Sequence, residues 1–240
     1  MPTARFFCPT PLQADCRMTL PESLAHHALR VLRLPAGTAV TLFDGQGGQY
    51  PAVLQIQGRT ALADVGRHEA VESELRGHLT LIQGIASGDK MDWVVEKAVE
   101  LGVSTLIPIA AERSVLRLSG PRLEKRLAHW RAIVQAASEQ SGRNRLMQVL
   151  DPAPLRDYLE KLTGLSLFCH PDGEADFAQA LHHTSDRLNV LVGPEGGWTP
   201  DELDLASRHG LQGVRFGPRI LRTETAGLAM AAAATALLGW

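Results

Sequence analysis

The rhythm of hydrophobic and polar positions changes once along this chain, near residue 75. Before that point, short apolar and β-branched runs at 39–43, 50–56 and 60–65 are broken by turn residues, the pattern of strands in a small β domain. Between the first two runs, Asp44-Gly-Gln-Gly-Gly48 supplies glycines that accept the positive φ of a tight hairpin. No helical pattern follows these glycines, so they do not read as a nucleotide-binding loop. One helix is expected around residues 22–32, and the polar stretch 66–77 reads as a linker.

After the linker, near-continuous apolar runs at 79–86, 105–110, 165–169, 189–192 and 214–216 alternate with helical patterns. Runs without polar alternation suit strands covered on both faces, as in a parallel α/β sheet. Asp89 is placed to cap a helix carrying Met91, Val94, Val95, Ala98 and Leu101 on one face, closed by Gly102. Pro121 opens a longer helix with Leu123, Leu127, Trp130, Val134 and Ala137 on one stripe. Thr199-Pro-Asp-Glu202 has the form of a capping box with proline at the first helical position. Residues 224–238 are apolar almost all round and rich in alanine, as in a helix buried in a core or between subunits. The pattern predicts a β-barrel domain over residues 1–72 and an α/β domain with a mainly parallel sheet over 73–240.

Composition narrows the class. Apolar residues make up 45% of the 240 and charged residues 21%, which fits a globular protein with a substantial core. Cys8, Cys16 and Cys169 form no C-x-x-C pair, which points to a reducing, cytoplasmic setting. The longest apolar run, 226–240, is too short to span a membrane. Net charge is −2, yet eight Lys or Arg stand against three Glu between Glu112 and Arg145. Residues 1–33 carry four Arg against Asp15 and Glu22. Basic surface is thus concentrated in two places, either as solvated faces or as tracks for a polyanion.

Familiar catalytic signatures are missing. The sequence holds no G-x-x-x-x-G-K-[ST], no early G-x-G-x-x-G, no G-x-S-x-G and no H-E-x-x-H. The pairs His26-His27 and His182-His183 point apart on a helix, so they give no metal site. Chemistry is better sought where strands end, because α/β sheets bind ligands beyond the carboxyl ends of their strands. Three turns qualify: Phe168-Cys-His-Pro-Asp-Gly173, Gly193-Pro-Glu-Gly-Gly-Trp198 and Phe216-Gly-Pro-Arg-Ile-Leu-Arg-Thr-Glu-Thr225. Taken singly, each is equally an ordinary β–α turn.

Together, Gly193-Pro-Glu-Gly-Gly197 and the segment from Phe216 to Ala226 resemble the paired cofactor loops of the SPOUT methyltransferases. More closely, the chain resembles the bacterial family that methylates N3 of a uridine in small-subunit (16S) ribosomal RNA. Asp89-Lys-Met-Asp92, residues 97–103 (KAVELGV), Glu112-Arg-Ser114, Glu139-Gln-Ser-Gly-Arg143 and His26-His-Ala-Leu-Arg-Val-Leu-Arg33 extend the match over nearly the whole length.

That resemblance implies a PUA-like β barrel followed by an α/β domain with a trefoil knot, acting in the cytoplasm as a homodimer without metal or membrane. It implies S-adenosylmethionine as cofactor, held largely by backbone groups at Gly193, Pro194, Glu195, Gly196, Gly197 and Gly217. Cys169, His170 and Thr225 stand beside it, and Val192, Phe216, Ile220 and Leu221 are expected to wall the adenine. Glu224 is the candidate general base, with Arg219 or Arg222 supplying positive charge. Arg30, Arg33, Arg113, Arg131, Arg143 and Arg145 are candidates for RNA phosphate contacts. Still open are a SPOUT enzyme acting on a ribose 2′-hydroxyl or on tRNA, and a non-catalytic RNA-binding module of ribosome assembly.

Overall fold

A computed structural model describes residues 3–58, 60–114, 119–183 and 186–240. Arg117 of the basic stretch lies outside them, as does the side chain of His183. The chain divides into two compact units: Met1–Glu74 with Ser138–Leu146, and Leu75–Ala137 with Met147–Trp240.

The first unit holds five strands, β1 (Ala4–Phe7), β2 (Cys16–Thr19), β3 (Ala39–Phe43), β4 (Tyr50–Gln57) and β5 (Thr60–Val65), in the order β1-β3-β4-β5-β2. β1 runs parallel to β3, and the other pairs are antiparallel. Burial alternates along β5, so Ala61, Ala63 and Val65 face a core shared with Phe6, Leu42 and Leu54. The helix expected at 22–32 forms as α1 (Glu22–His26), running into a π-helical turn at His27–Val31. It buries Leu24 and Ala28 on the same core.

The sequence division does not anticipate that Ser138–Leu146 packs with this first unit. Polar chemistry holds it there. Asn144 donates to the Val71 carbonyl at 2.6 Å and accepts from the Arg5 guanidinium at 2.6 Å. Arg143 grips Glu74 through two nitrogens, at 3.1 and 2.6 Å. The polar stretch 66–77 therefore contributes Val71 and Glu74 as partners rather than serving only as a tether.

The second unit is built on seven strands: β6 (His78–Gly84), β7 (Thr105–Ile109), β8 (Gln148–Val149), β9 (Leu165–Cys169), β10 (Ala175–Asp176), β11 (Arg187–Val192) and β12 (Gln212–Arg215). Their order is β10-β12-β9-β11-β6-β7-β8, and every pairing is parallel. β7 is buried at every position and β11 at all but its first, the double coverage that the apolar runs predicted. Helices α2 (Lys90–Glu100), α3 (Gly120–Ser141), α4 (Arg156–Leu159), α5 (Phe177–Ala180), α6 (Pro200–Arg208) and α7 (Thr223–Leu238) complete the chain, with a 3₁₀ turn at Leu181–His183. α7 packs on β6 and β11.

The predicted helix ends mostly hold. Thr199 and Glu202 form a reciprocal capping box, and Pro200 starts α6. Asp89 does occupy the N-cap of α2, but its backbone is helical there and its side chain accepts no hydrogen bond. The buried stripe of α3 includes Trp130, fully buried, whose indole N–H donates to Asp92 of α2 at 3.0 Å. No helix among the described residues is long and apolar enough to cross a membrane.

Candidate active site

β6 and β11 lie side by side, but the chain leaves them in opposite directions. From β6 it goes by way of α2 to β7; from β11 it goes by way of α6 to β12, beyond β9. Such a divergence opens a crevice beyond the strand tips, the place where α/β sheets take ligands. A cavity of about 520 Å³ lies there, within the second unit. Its walls come from all three predicted turns: Cys169 and His170 after β9, Val192–Glu195 with Gly197 and Trp198 after β11, and Phe216–Glu224 after β12.

The turns are locked to each other by hydrogen bonds. Fully buried Gln83, near the end of β6, donates to the Thr223 hydroxyl at 2.9 Å and to the Gly84 carbonyl at 3.1 Å. Thr223, the first residue of α7, in turn donates to the Gly193 carbonyl. One side-chain relay thus fixes the start of α7 against the loop after β11. That loop closes on itself where the Gly197 N–H meets the Pro194 carbonyl at 2.9 Å, with Gly197 at φ +70°. From the loop after β7, the Arg113 guanidinium donates to the Trp198 carbonyl at 3.3 Å and lies 3.5 Å from that of Gly196.

Gly84 lets the loop approach β6. A Cβ there would sit 2.4 Å from the Pro194 nitrogen and 2.8 Å from the Gly193 carbonyl carbon, both of them backbone atoms that cannot swing away. Gly84→Ala is therefore expected to destabilise the protein by about 1–3 kcal/mol, as overpacking does, and to loosen residues 193–198. Thermal melting with amide exchange of that loop checks it; a wild-type melt and unchanged exchange would show that the loop yields freely.

The electrostatics centre on Lys90, Glu195 and Glu224. Glu195 Oε1 accepts from the Ser87 N–H at 2.9 Å, the Ser87 hydroxyl at 2.7 Å and Lys90 Nζ at 3.3 Å. Burial pushes this carboxyl up, but the hydrogen bonds from Ser87 and Lys90 outweigh it and hold the group at about 2. Lys90 Nζ also lies 3.7 Å from Glu224 Oε2, a buried atom with no hydrogen-bond partner. Burial raises the Cys169 thiol above its ordinary value, so this thiol stays protonated at neutral pH.

The sequence-predicted site residues fall into three groups. Lining the cavity are Cys169, His170, Val192, Gly193, Pro194, Glu195, Gly197, Phe216, Gly217, Ile220, Leu221 and the proposed catalytic set Arg219, Arg222 and Glu224. Ile220 is 84% exposed, too open to be a closed apolar wall as it stands. Gly196 and Thr225 belong to the same loops but do not line the cavity. Among the RNA candidates, Arg30, Arg33, Arg131 and Arg145 are exposed, Arg131 beside Asp151 at 3.5 Å and Arg145 beside Glu72 at 3.4 Å. Two assignments change. Arg143 is only 4% exposed and paired with Glu74, so it has no donor face for a phosphate. Arg113 spends its guanidinium on loop carbonyls and lines the cavity.

Sequence reasoning missed Lys90, Gln83, Thr223 and Trp198 as site residues. Lys90 was within reach, since it follows the tip of β6 as the predicted loops follow β9, β11 and β12. The relay through Gln83 had no sequence signal, because its partner stands 140 positions away. No cluster of three or more potential metal ligands occurs among the described residues.

A parallel sheet with glycine-bearing loops gathered at its switch point, preceded by a PUA-like β unit, defines the SPOUT class of methyltransferases that the motifs suggested. A family model described as an RNA methyltransferase domain matches residues 73–235, and one described as an RNA methyltransferase PUA domain matches residues 20–65. The chain is 32% identical to the ribosomal RNA small subunit methyltransferase E of Synechocystis, over 93% of its own length and 74% of the relative's. It is 29% identical to the Bacillus subtilis protein of the same name, over 85% and 83%. The crystal structure of that methyltransferase from Neisseria gonorrhoeae, bound to S-adenosyl methionine, superposes with a TM-score of 0.90 at 38% identity, covering 98% of both chains. A Legionella pneumophila protein, also solved with the bound cofactor, gives 0.92 at 28% identity over 98% of both. The chain belongs to the small-subunit ribosomal RNA methyltransferase E family of RNA methyltransferases.

Proposed function

We propose that this protein transfers a methyl group from S-adenosylmethionine to N3 of a uridine in 16S ribosomal RNA of the small subunit, in the cytoplasm. The single observation that carries the reading is the cavity at the β6/β11 switch point, where three strand-end loops meet around the half-buried carboxylate of Glu224. Its residues suit the cofactor. A volume of about 520 Å³ lies within the range of about 300–1,000 Å³ usual for ligand sites of this size. The loops offer backbone donors and acceptors, Val192, Phe216 and Leu221 offer apolar contact, and the buried Trp198 indole N–H has no partner.

S-adenosylmethionine bound there supplies a methyl carbon on a sulfonium, whose C–S electron pair stays with sulfur as the N3 pair forms the new bond. The chain supplies the rest. N3 of uracil carries a weakly acidic proton, and its removal spreads negative charge onto the flanking carbonyl oxygens. Glu224, which lines the cavity, accepts that proton. Arg219 or Arg222, exposed on the loop before α7, stabilises the negative charge. Because N3 sits on the pairing edge, the target base enters unpaired or flipped out. Arg30, Arg33, Arg131 and Arg145 hold RNA phosphates, giving affinity that falls as salt rises. The reading includes a homodimer, supported by two large apolar side chains left exposed, Trp93 of α2 (52%) and Leu237 of α7 (59%).

The test is incubation with labelled S-adenosylmethionine and small ribosomal subunits lacking the modification, followed by mass spectrometry of the nucleosides. Label in N3-methyluridine is the expected result. Label in a ribose 2′-O-methyl nucleoside, or transfer to tRNA alone, would assign another reaction to this site.

A further inference from the structure

We propose that the turn closing the π-helical segment of the first unit is a wedge for single-stranded RNA. Val31 and Leu32 pack against unstacked bases while Arg30 and Arg33 hold the phosphates on either side; this rests on the reading of the substrate as ribosomal RNA.

Consecutive residues are displayed there while their neighbours are not. Ala28 is fully buried, and Leu29 and Leu34 pack against the core of the first unit. Between them Arg30, Val31, Leu32 and Arg33 all face solvent, with Val31 59% and Leu32 45% exposed. Neither joins the core, so packing within the unit does not require them to be apolar.

The display is held on fixed backbone. The Leu32 N–H donates to the His27 carbonyl at 3.0 Å, and the Leu34 N–H donates to the Ala28 carbonyl at 3.0 Å. A π turn fits one more residue into the helical circuit than an α turn, a geometry often found at functional sites. Arg33 then bends the chain at φ +55°, a left-handed conformation that glycine would adopt without strain. An arginine kept at such a position points to a use for its guanidinium. Side chains presented on an ordered turn also lose less freedom on binding.

Charge and shape select RNA as the occupant. Neither guanidinium has an ion pair or hydrogen bond among the described residues, whereas Arg131 stands beside Asp151 and Arg145 beside Glu72. Two unpaired cations bracketing an apolar pair match a strand whose phosphates alternate with sugars and base faces. Apolar side chains inserted between bases unstack them. Base faces inside an intact duplex are covered by their neighbours, so the pair favours RNA that is already splayed open. Valine and leucine make no hydrogen bonds to base edges, so the wedge reads strandedness rather than sequence.

The experiment is fluorescence anisotropy of the full chain with a single-stranded oligouridylate and with a fully paired RNA duplex of the same length, over a series of salt concentrations. Val31→Ser with Leu32→Ser is expected to weaken single-strand binding by about tenfold, the worth of one base contact, with duplex binding and the salt slope unchanged. Arg30→Gln with Arg33→Gln should weaken both RNAs and lower the logarithmic salt slope on the single strand by about 1.4, from two phosphates at about 0.7 each. Methyl transfer by the serine variant should fall when unmodified small subunits are limiting and recover when they are in excess. Val31→Ala with Leu32→Ala takes its place if serine lowers the melting temperature. Equal loss on duplex and single strand, or no loss on either, overturns the proposal. So does a shift of the serine variant to a smaller species in sedimentation, which would make the patch a contact between copies. The reading beneath it fails separately: wild-type protein that leaves ribosomal RNA unlabelled would remove the substrate, whatever the oligonucleotides show.

Discussion

Glu224→Gln is expected to slow methyl transfer by about 10²–10⁴-fold, the usual worth of a positioned general base. The amide is nearly the same size, so the first turn of α7 and the relay from Gln83 through Thr223 to Gly193 should stand as they are. Affinity for S-adenosylmethionine, measured by calorimetry, should therefore change little. Loss concentrated in the transfer step identifies a group acting on the proton. Equal loss in cofactor affinity would instead mean that the carboxylate binds the cofactor.

Trp130→Ala should have the largest effect on folding. The side chain is completely buried in α3, and its removal leaves a cavity worth about 3–5 kcal/mol. Melting should fall by roughly 10 °C or more. The hydrogen bond to Asp92 is the smaller part of the loss, because Asp92 keeps Arg126 at 3.3 Å and His129 at 2.7 Å. Trp130→Phe separates the two contributions: it restores most of the volume without the N–H, so it should melt close to wild type. A phenylalanine variant as unstable as the alanine one would move the weight from packing to the hydrogen bond.

Much of this architecture was written locally. The double-sided apolar runs at 105–110 and 189–192 became the buried strands β7 and β11, and Thr199 and Glu202 formed the capping box their spacing required. These features depend on neighbours within a few residues, which periodicity detects. The two-residue edge strands β8 and β10 escaped notice because so few residues carry no pattern. β1 and β2, four residues each, lack the continuous apolar run that marked the equally short β12. At the site, the three loops were legible from glycine and strand position, but their mutual fastening was not. Gln83 looks like any polar residue in a strand until Thr223 is brought to it. Arg143 and Arg145, two positions apart in the basic stretch, looked equivalent as charges. Folding buried one on Glu74 and left the other outside.

The return of residues 138–146 to the first unit limits how this protein can be cut or recombined. The first unit is not a contiguous piece of polypeptide. A fragment ending at Glu74 would lose the guanidinium that neutralises that residue, the amide that meets the Val71 carbonyl, and the Glu139 carboxylate that receives the Phe7 N–H. Grafting this module onto another enzyme therefore means transplanting two stretches of chain, with the second supplied from the far end of a helix that begins in the other unit.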